Sequence, residues 1–149
     1  MTADDAANLL IAVMASEQVR DSAKTVHEFG SLITRGDKLL TDVSSKLARR
    51  HTFREGLSGV ISLLASDGLK HGGNLSVDVK IEVRDPASSI VMSNDLGEPI
   101  LSYAPMTPVK DLRSAGDLYI TKRVTQLTIF TIAELLKSEA RSDANPSLR

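Results

Sequence analysis

Leu75-Ser76-Val77-Asp78-Val79-Lys80-Ile81-Glu82-Val83 alternates aliphatic and polar residues without a break. A period of two sends every aliphatic side chain to the same side of extended backbone, so this stretch predicts a strand with one buried face. Asp85-Pro86 supplies a turn, and Ser89–Ser93 returns as an antiparallel strand. Asn94–Pro99 makes a second turn, Ile100–Tyr103 a third short strand, and Pro105 and Pro108 punctuate a loop continuing to about Gly116.

The residues before this sheet read as helical. Thr52-Phe53-Arg54-Glu55 is a capping box, in which hydroxyl and carboxylate reciprocally satisfy backbone amides. The helix it opens runs to about Lys70 with Leu57, Val60, Ile61 and Leu64 inward, and Gly72-Gly73 ends it. Lone His51 falls in the turn just before. At the start of the chain, Thr2 followed by Asp5 predicts the cap of a long helix from about Ala3 to Ile33. Leu9, Val13, Val19, Ala23, Val26, Phe29 and Ile33 would form its buried stripe. Gly36 is a stop, and Asp37 to about Arg49 forms a second helix joined by a short link, which favours an antiparallel hairpin.

Downstream of Leu118 the periodicity is ambiguous. Ile120, Val124, Leu127 and Leu135 have helical spacing, whereas Thr128-Ile129-Phe130-Thr131-Ile132 is β-branched enough for a strand. Ser138–Arg149 is polar and contains Pro146, which reads as a mobile tail. The expected architecture is α+β: an N-terminal helical hairpin, then a small mostly antiparallel sheet packed against helices. Residues 1–50 would be the hairpin and dimerisation element, 51–137 the α/β sandwich, and 138–149 the tail.

Composition narrows the function classes. With 149 residues, 42% hydrophobic and 25% charged, the chain can bury one core and is not a disordered polymer. A net charge of −1 argues against nucleic acid held by bulk charge. The absence of cysteine removes disulfides, thiolate metal sites and cysteine nucleophiles, and fits a reducing, cytoplasmic setting. Ala6–Ala15 is interrupted by Asn8 and is too short to span a bilayer, so no membrane association is expected. The three histidines have no metal-ligand spacing.

Three short stretches carry a family resemblance. Ser66-Asp67-Gly68-Leu69-Lys70-His71-Gly72-Gly73, closing an apolar helix before a strand, resembles the asparagine box of the histidine-kinase-like ATPase fold. Ser93-Asn94-Asp95-Leu96-Gly97-Glu98-Pro99-Ile100 looks like a worn adenine loop of that family. Ala115-Gly116-Asp117-Leu118-Tyr119-Ile120-Thr121-Lys122-Arg123-Val124 looks like its worn second glycine box. The resemblance implies ATP and magnesium near Asp67, Lys70, His71, Asp95, Gly97 and Gly116, with Asp67 facing the metal. Departures argue against a working nucleotide site: Leu63 stands where the family often has a glutamate, Pro99 replaces a glycine, and Asp117 adds a negative charge.

Val26-His27-Glu28-Phe29 is similar to the phosphoacceptor box of histidine kinases and histidine phosphotransferases, although the family's proline is absent. On a helix, Arg20, Lys24, His27 and Ser31 share a polar face, which would bring the imidazole to solvent. The resemblance implies that His27 accepts phosphate, with Glu28 taking a proton or orienting the ring. The expected function is accordingly a bacterial two-component signalling protein, a phosphotransferase-like or pseudo-kinase regulator. It would be a homodimer that binds a response-regulator-type partner. Two other readings stand beside it: a non-enzymatic self-assembling virion or scaffold component, and an anti-sigma-type protein-binding module.

Overall fold

The computed structural model describes residues 1–15, 19–35, 50–66, 78–83, 89–93, 99–105 and 120–144. Along these run helix α1 (Ala3–Ala15), a 3-10 turn (Val19–Asp21), α2 (Ser22–Gly30), strand β1 (Ile33–Arg35), α3 (Phe53–Ala65), β2 (Asp78–Val83), β3 (Ser89–Ser93), β4 (Pro99–Ala104), β5 (Ile120–Val124) and α4 (Gln126–Ala144). The strands form one antiparallel sheet in the order β1-β4-β3-β2-β5. The α+β class and the antiparallel sheet expected from the sequence are both present.

The alternation read in β2 to β4 becomes the buried face of the sheet. Val79, Met92 and Leu101 line up in one cross-strand row, and Ile81, Ile90 and Tyr103 in the next. All six are buried, and they share a single hydrophobic cluster with buried residues of all four helices. The fold is thus two layers, helices on sheet. The opposite sheet face carries Lys80, Ser102, Arg35 and Arg123, with Lys80 directly across from Arg123. Like charges in that register repel, and Arg123 turns diagonally to pair with the Asp78 carboxylate. The same carboxylate accepts the Gln126 N–H at 3.1 Å, so Asp78 ties the end of β5 to the first turn of α4.

Four sequence expectations need correction. The single helix from Ala3 to Ile33 is two helices, joined through the 3-10 turn at Val19–Asp21, followed by a strand at Ile33. That break lets α2 fold back against α1. The buried stripe of α1 is Ala6, Ala7, Leu10, Ile11 and Met14, while Leu9 and Val13 are 55% and 69% exposed. Both sets have helical spacing; the alanine side wins because its small side chains allow close approach to α2 and α3. Residues 120–124 are a strand, paired with β2 so that Val124 lies beside Val79. Residues 128–132 are helical, and α4 continues to Ala144 through part of the segment whose polarity suggested a tail. Its inward Ile129, Ala133 and Leu136 are buried, and the N-terminal ammonium of Met1 pairs with Glu139 at 3.1 Å. The expected helix at 37–49 lies outside the described residues.

Both caps form as read. Thr2 N–H donates to Asp5 Oδ2 at 2.9 Å and Asp5 N–H to Thr2 Oγ1 at 3.1 Å. At α3, Thr52 N–H donates to Glu55 Oε2 at 2.7 Å and Glu55 N–H to Thr52 Oγ1 at 3.3 Å. The backbone and hydroxyl bonds from Thr52 hold the Glu55 carboxyl below its ordinary value of 4.5. A carboxyl with a lowered folded-state pKa stabilises the fold fully above its unfolded pKa, and the contribution disappears as pH falls through the folded value. Glu55→Gln is therefore expected to cost about 0.5–1 kcal/mol at neutral pH. Urea unfolding across an acid series should show that difference shrinking only below about pH 4.5.

Candidate functional site

Besides the charged outer face of the sheet, the described residues hold an exposed polar cluster on α2 and a sealed one in the core. His27 and Glu28 both face solvent, as the helical reading required, and Lys24 reaches Glu28 at 3.7 Å one turn away. Consecutive helical residues project about 100° apart, so Glu28 is aimed toward Lys24 and away from the imidazole. The end of the helix is closed locally: Ser31 N–H donates to the His27 carbonyl at 3.2 Å and Ser31 Oγ to the Glu28 carbonyl at 3.0 Å. Arg20 lies in the 3-10 turn, 3.8 Å from Asp21.

The sealed cluster is built around Tyr103. Residues 51–53 run alongside 32–34, with Thr34 N–H donating to the His51 carbonyl at 3.1 Å and Phe53 N–H to the Leu32 carbonyl at 2.8 Å. This fixes His51 over the sheet, where its Nε2 shares a 3.0 Å hydrogen bond with Tyr103 Oη. The Phe53 ring packs edge-on against Tyr103 with centroids 5.3 Å apart. Both partners of the polar pair are buried, and burial pushes the Tyr103 phenol well above its ordinary range. A phenol held neutral, hydrogen-bonded and away from water anchors a core; His51 belongs to the turn before α3, as its position in the sequence indicated.

Gly56 is required at this point. A Cβ there would fall 2.1 Å from Tyr103 Oη and 3.1 Å from His51 Nε2. Nearby, the guanidinium of Arg54 lies over Gly30, with Nη2 3.2 Å from where a Cβ of Gly30 would be.

Asp67, Lys70, His71, Asp95, Gly97 and Gly116 all lie outside the described residues. Leu63 is buried in the core. Among the described residues there is no group of three or more His, Cys, Asp or Glu side chains that could hold a metal. No helix among them is long and apolar enough to cross a membrane.

A further feature escaped the sequence reading. α4 is apolar on two faces: Ile129, Ala133 and Leu136 enter the core, while Leu127, Phe130 and Leu135 remain 73%, 52% and 54% exposed. The signal was present as apolar residues off the inward stripe, but it could not be used while helix and strand were both open for 128–132. No family model matches the chain, and no curated protein or solved structure is significantly similar to it.

Gly56→Ala is expected to destabilise the fold by about 2–3 kcal/mol through overpacking against Tyr103. Removing the hydroxyl relieves the tightest contact, so in a Tyr103→Phe background the same substitution should cost at least about 1 kcal/mol less. A double-mutant cycle by urea unfolding measures this coupling; additive effects would mean that Gly56 and Tyr103 do not oppose each other across this gap.

Proposed function

We propose that this chain is a regulatory protein-binding module whose contact surface is the outward face of α4. One observation supports the reading above the others. Leu127, Phe130 and Leu135 are each more than half exposed on a helix whose opposite face is already committed to the core. Aliphatic and aromatic side chains grouped on one rigid face favour contact with another macromolecule, because burying them releases ordered water. The fold supplies what such a surface needs: α4 is held by Asp78 at its start, by core packing along its length and by Met1 at Glu139. This reading joins the signalling and anti-sigma-type expectations at their common element, recognition of a protein partner.

A second reading, phosphate relay from a response-regulator-type partner, is favoured by the exposure of His27. In that step an imidazole nitrogen attacks the phosphorus of an aspartyl phosphate. The bond between phosphorus and the aspartyl oxygen breaks, the aspartate leaves as carboxylate, and the ring proton passes to solvent. Glu28, turned toward Lys24, contributes local negative charge.

Separate experiments test the two readings. Phe130→Glu is expected to leave folding stability within about 0.5 kcal/mol, because the position is exposed, while lowering capture of partners from the source cell at least tenfold. Unchanged capture would remove the α4 reading. Incubation with a phosphorylated receiver domain should place acid-labile phosphate on the wild-type chain and none on His27→Ala; an unlabelled wild type ends the relay.

A further inference from the structure

We infer that Arg54 and His27 form a binding site for a phosphate group, free or carried as a monoester, where the start of α3 meets the end of α2. The site goes beyond the relay reading, because it holds the anion without any bond to phosphorus.

Gly30 opens the place that Arg54 fills. With no side chain on the last residue of α2, the guanidinium lies against that helix, Nη2 and Nε being 3.2 and 3.3 Å from where a Cβ would be. Ile11 of α1 closes in on the same point at 3.6 Å. Arg54 Nε is buried there, and among the described residues it has no hydrogen-bond partner. The neighbouring acceptors are already engaged. Glu55 gives its carboxylate to Thr52, Glu28 pairs with Lys24, and the His27 and Phe29 carbonyls accept from the Ser31 and Leu32 N–H groups. Arg54 therefore does not serve as the cap of α2; Ser31 and Leu32 do. A guanidinium keeps its charge at every pH that the fold meets. Held against an aliphatic side chain and a bare stretch of helix, that charge attracts an anion more strongly than it would in open water.

His27 supplies the second donor. It stands one turn before Gly30 and about 60° round the helix, which is why it is exposed while Gly30 is buried. Cβ positions three apart on a helix are about 5–6 Å from each other, so the His27 Cβ is no more than about 9 Å from Arg54 Nη2. An imidazole turned along that line covers part of the span, and an ion in hydrogen-bond contact with both groups covers the rest. The donors come from different helices. A tetrahedral phosphate, with oxygens on all sides, bridges them, whereas a planar carboxylate is satisfied by the guanidinium fork alone. Two side chains make a weak site, half-saturated at about 1–10 mM.

The experiment is an NMR titration of the full chain with inorganic phosphate to about 50 mM, at ionic strength held constant with chloride. The Arg54 Nε–H and His27 ring signals are expected to shift together along one saturating curve. Arg54→Gln should raise the midpoint read at His27 at least tenfold, with the chain still folded by its amide spectrum. Arg54→Lys, which keeps the charge and loses the fork, should raise it about threefold. His27→Gln should raise the midpoint read at Arg54 about fivefold. Phenyl phosphate distinguishes the sources: a midpoint equal to or below that of inorganic phosphate assigns the site to a monoester, and a higher one to the free ion.

No saturating shift with either compound overturns the proposal. So does an equal response to acetate, or a His27 curve that Arg54→Gln leaves unchanged. The relay fails separately, since an unlabelled His27 in the receiver-domain experiment is compatible with reversible binding here.

Discussion

Tyr103 and Gly56 meet at a distance that leaves no room for a side chain on the helix, and the remaining architecture is arranged around that approach. The phenol comes from the buried row of β4 and the glycine from the inward face of α3. His51, one residue before the cap of α3, satisfies the hydroxyl that would otherwise be stranded in the core. Helix, strand and turn are thus fixed to one another at a single point. From there α3 presents Leu57, Val60, Ile61 and Leu64 to the interior, where α1 and α4 pack against it.

This arrangement determines which surfaces remain for function. α1 spends its alanine-rich face on α2 and α3, leaving Leu9 and Val13 outside. α4 spends Ile129, Ala133 and Leu136 on the core, leaving Leu127, Phe130 and Leu135 outside. Both helices thus keep apolar side chains outside, and on α4 the Thr131 hydroxyl between the outer leucines bonds to its own helix. His27 is different in kind. It owes its exposure to the short helix α2, and the carboxylate beside it in sequence is directed elsewhere by helical geometry.

Local rules proved sufficient where a short stretch holds all the relevant information. The period-two pattern around Lys80, the return strand at Ser89–Ser93, and the caps at Thr2 and Thr52 involve partners within a few residues, and each appears where the sequence put it. The same rules failed at Ile120–Val124, which has helical spacing but gains more by pairing with β2, far away in the chain. They failed again on α1, where two stripes of equal helical period compete and close packing on α2 and α3 selects the side with the small alanines. The candidate site was legible in part: the exposure of His27 followed from its helix, while the outer face of α4 could not be seen until 128–132 was known to be helical.

The amino-acid sequence alone determined the alternating strands, the caps and the absence of cysteine chemistry, because each depends on residue type and near-neighbour spacing. Tertiary structure decided which of two apolar faces each helix buries, that β5 closes the sheet edge beside β2, and that His51 is a core residue bonded to Tyr103. The physical reason is that burial is a property of what an element meets. A hydrophobic pattern specifies a face that can leave water, and only the packed neighbours settle which face does.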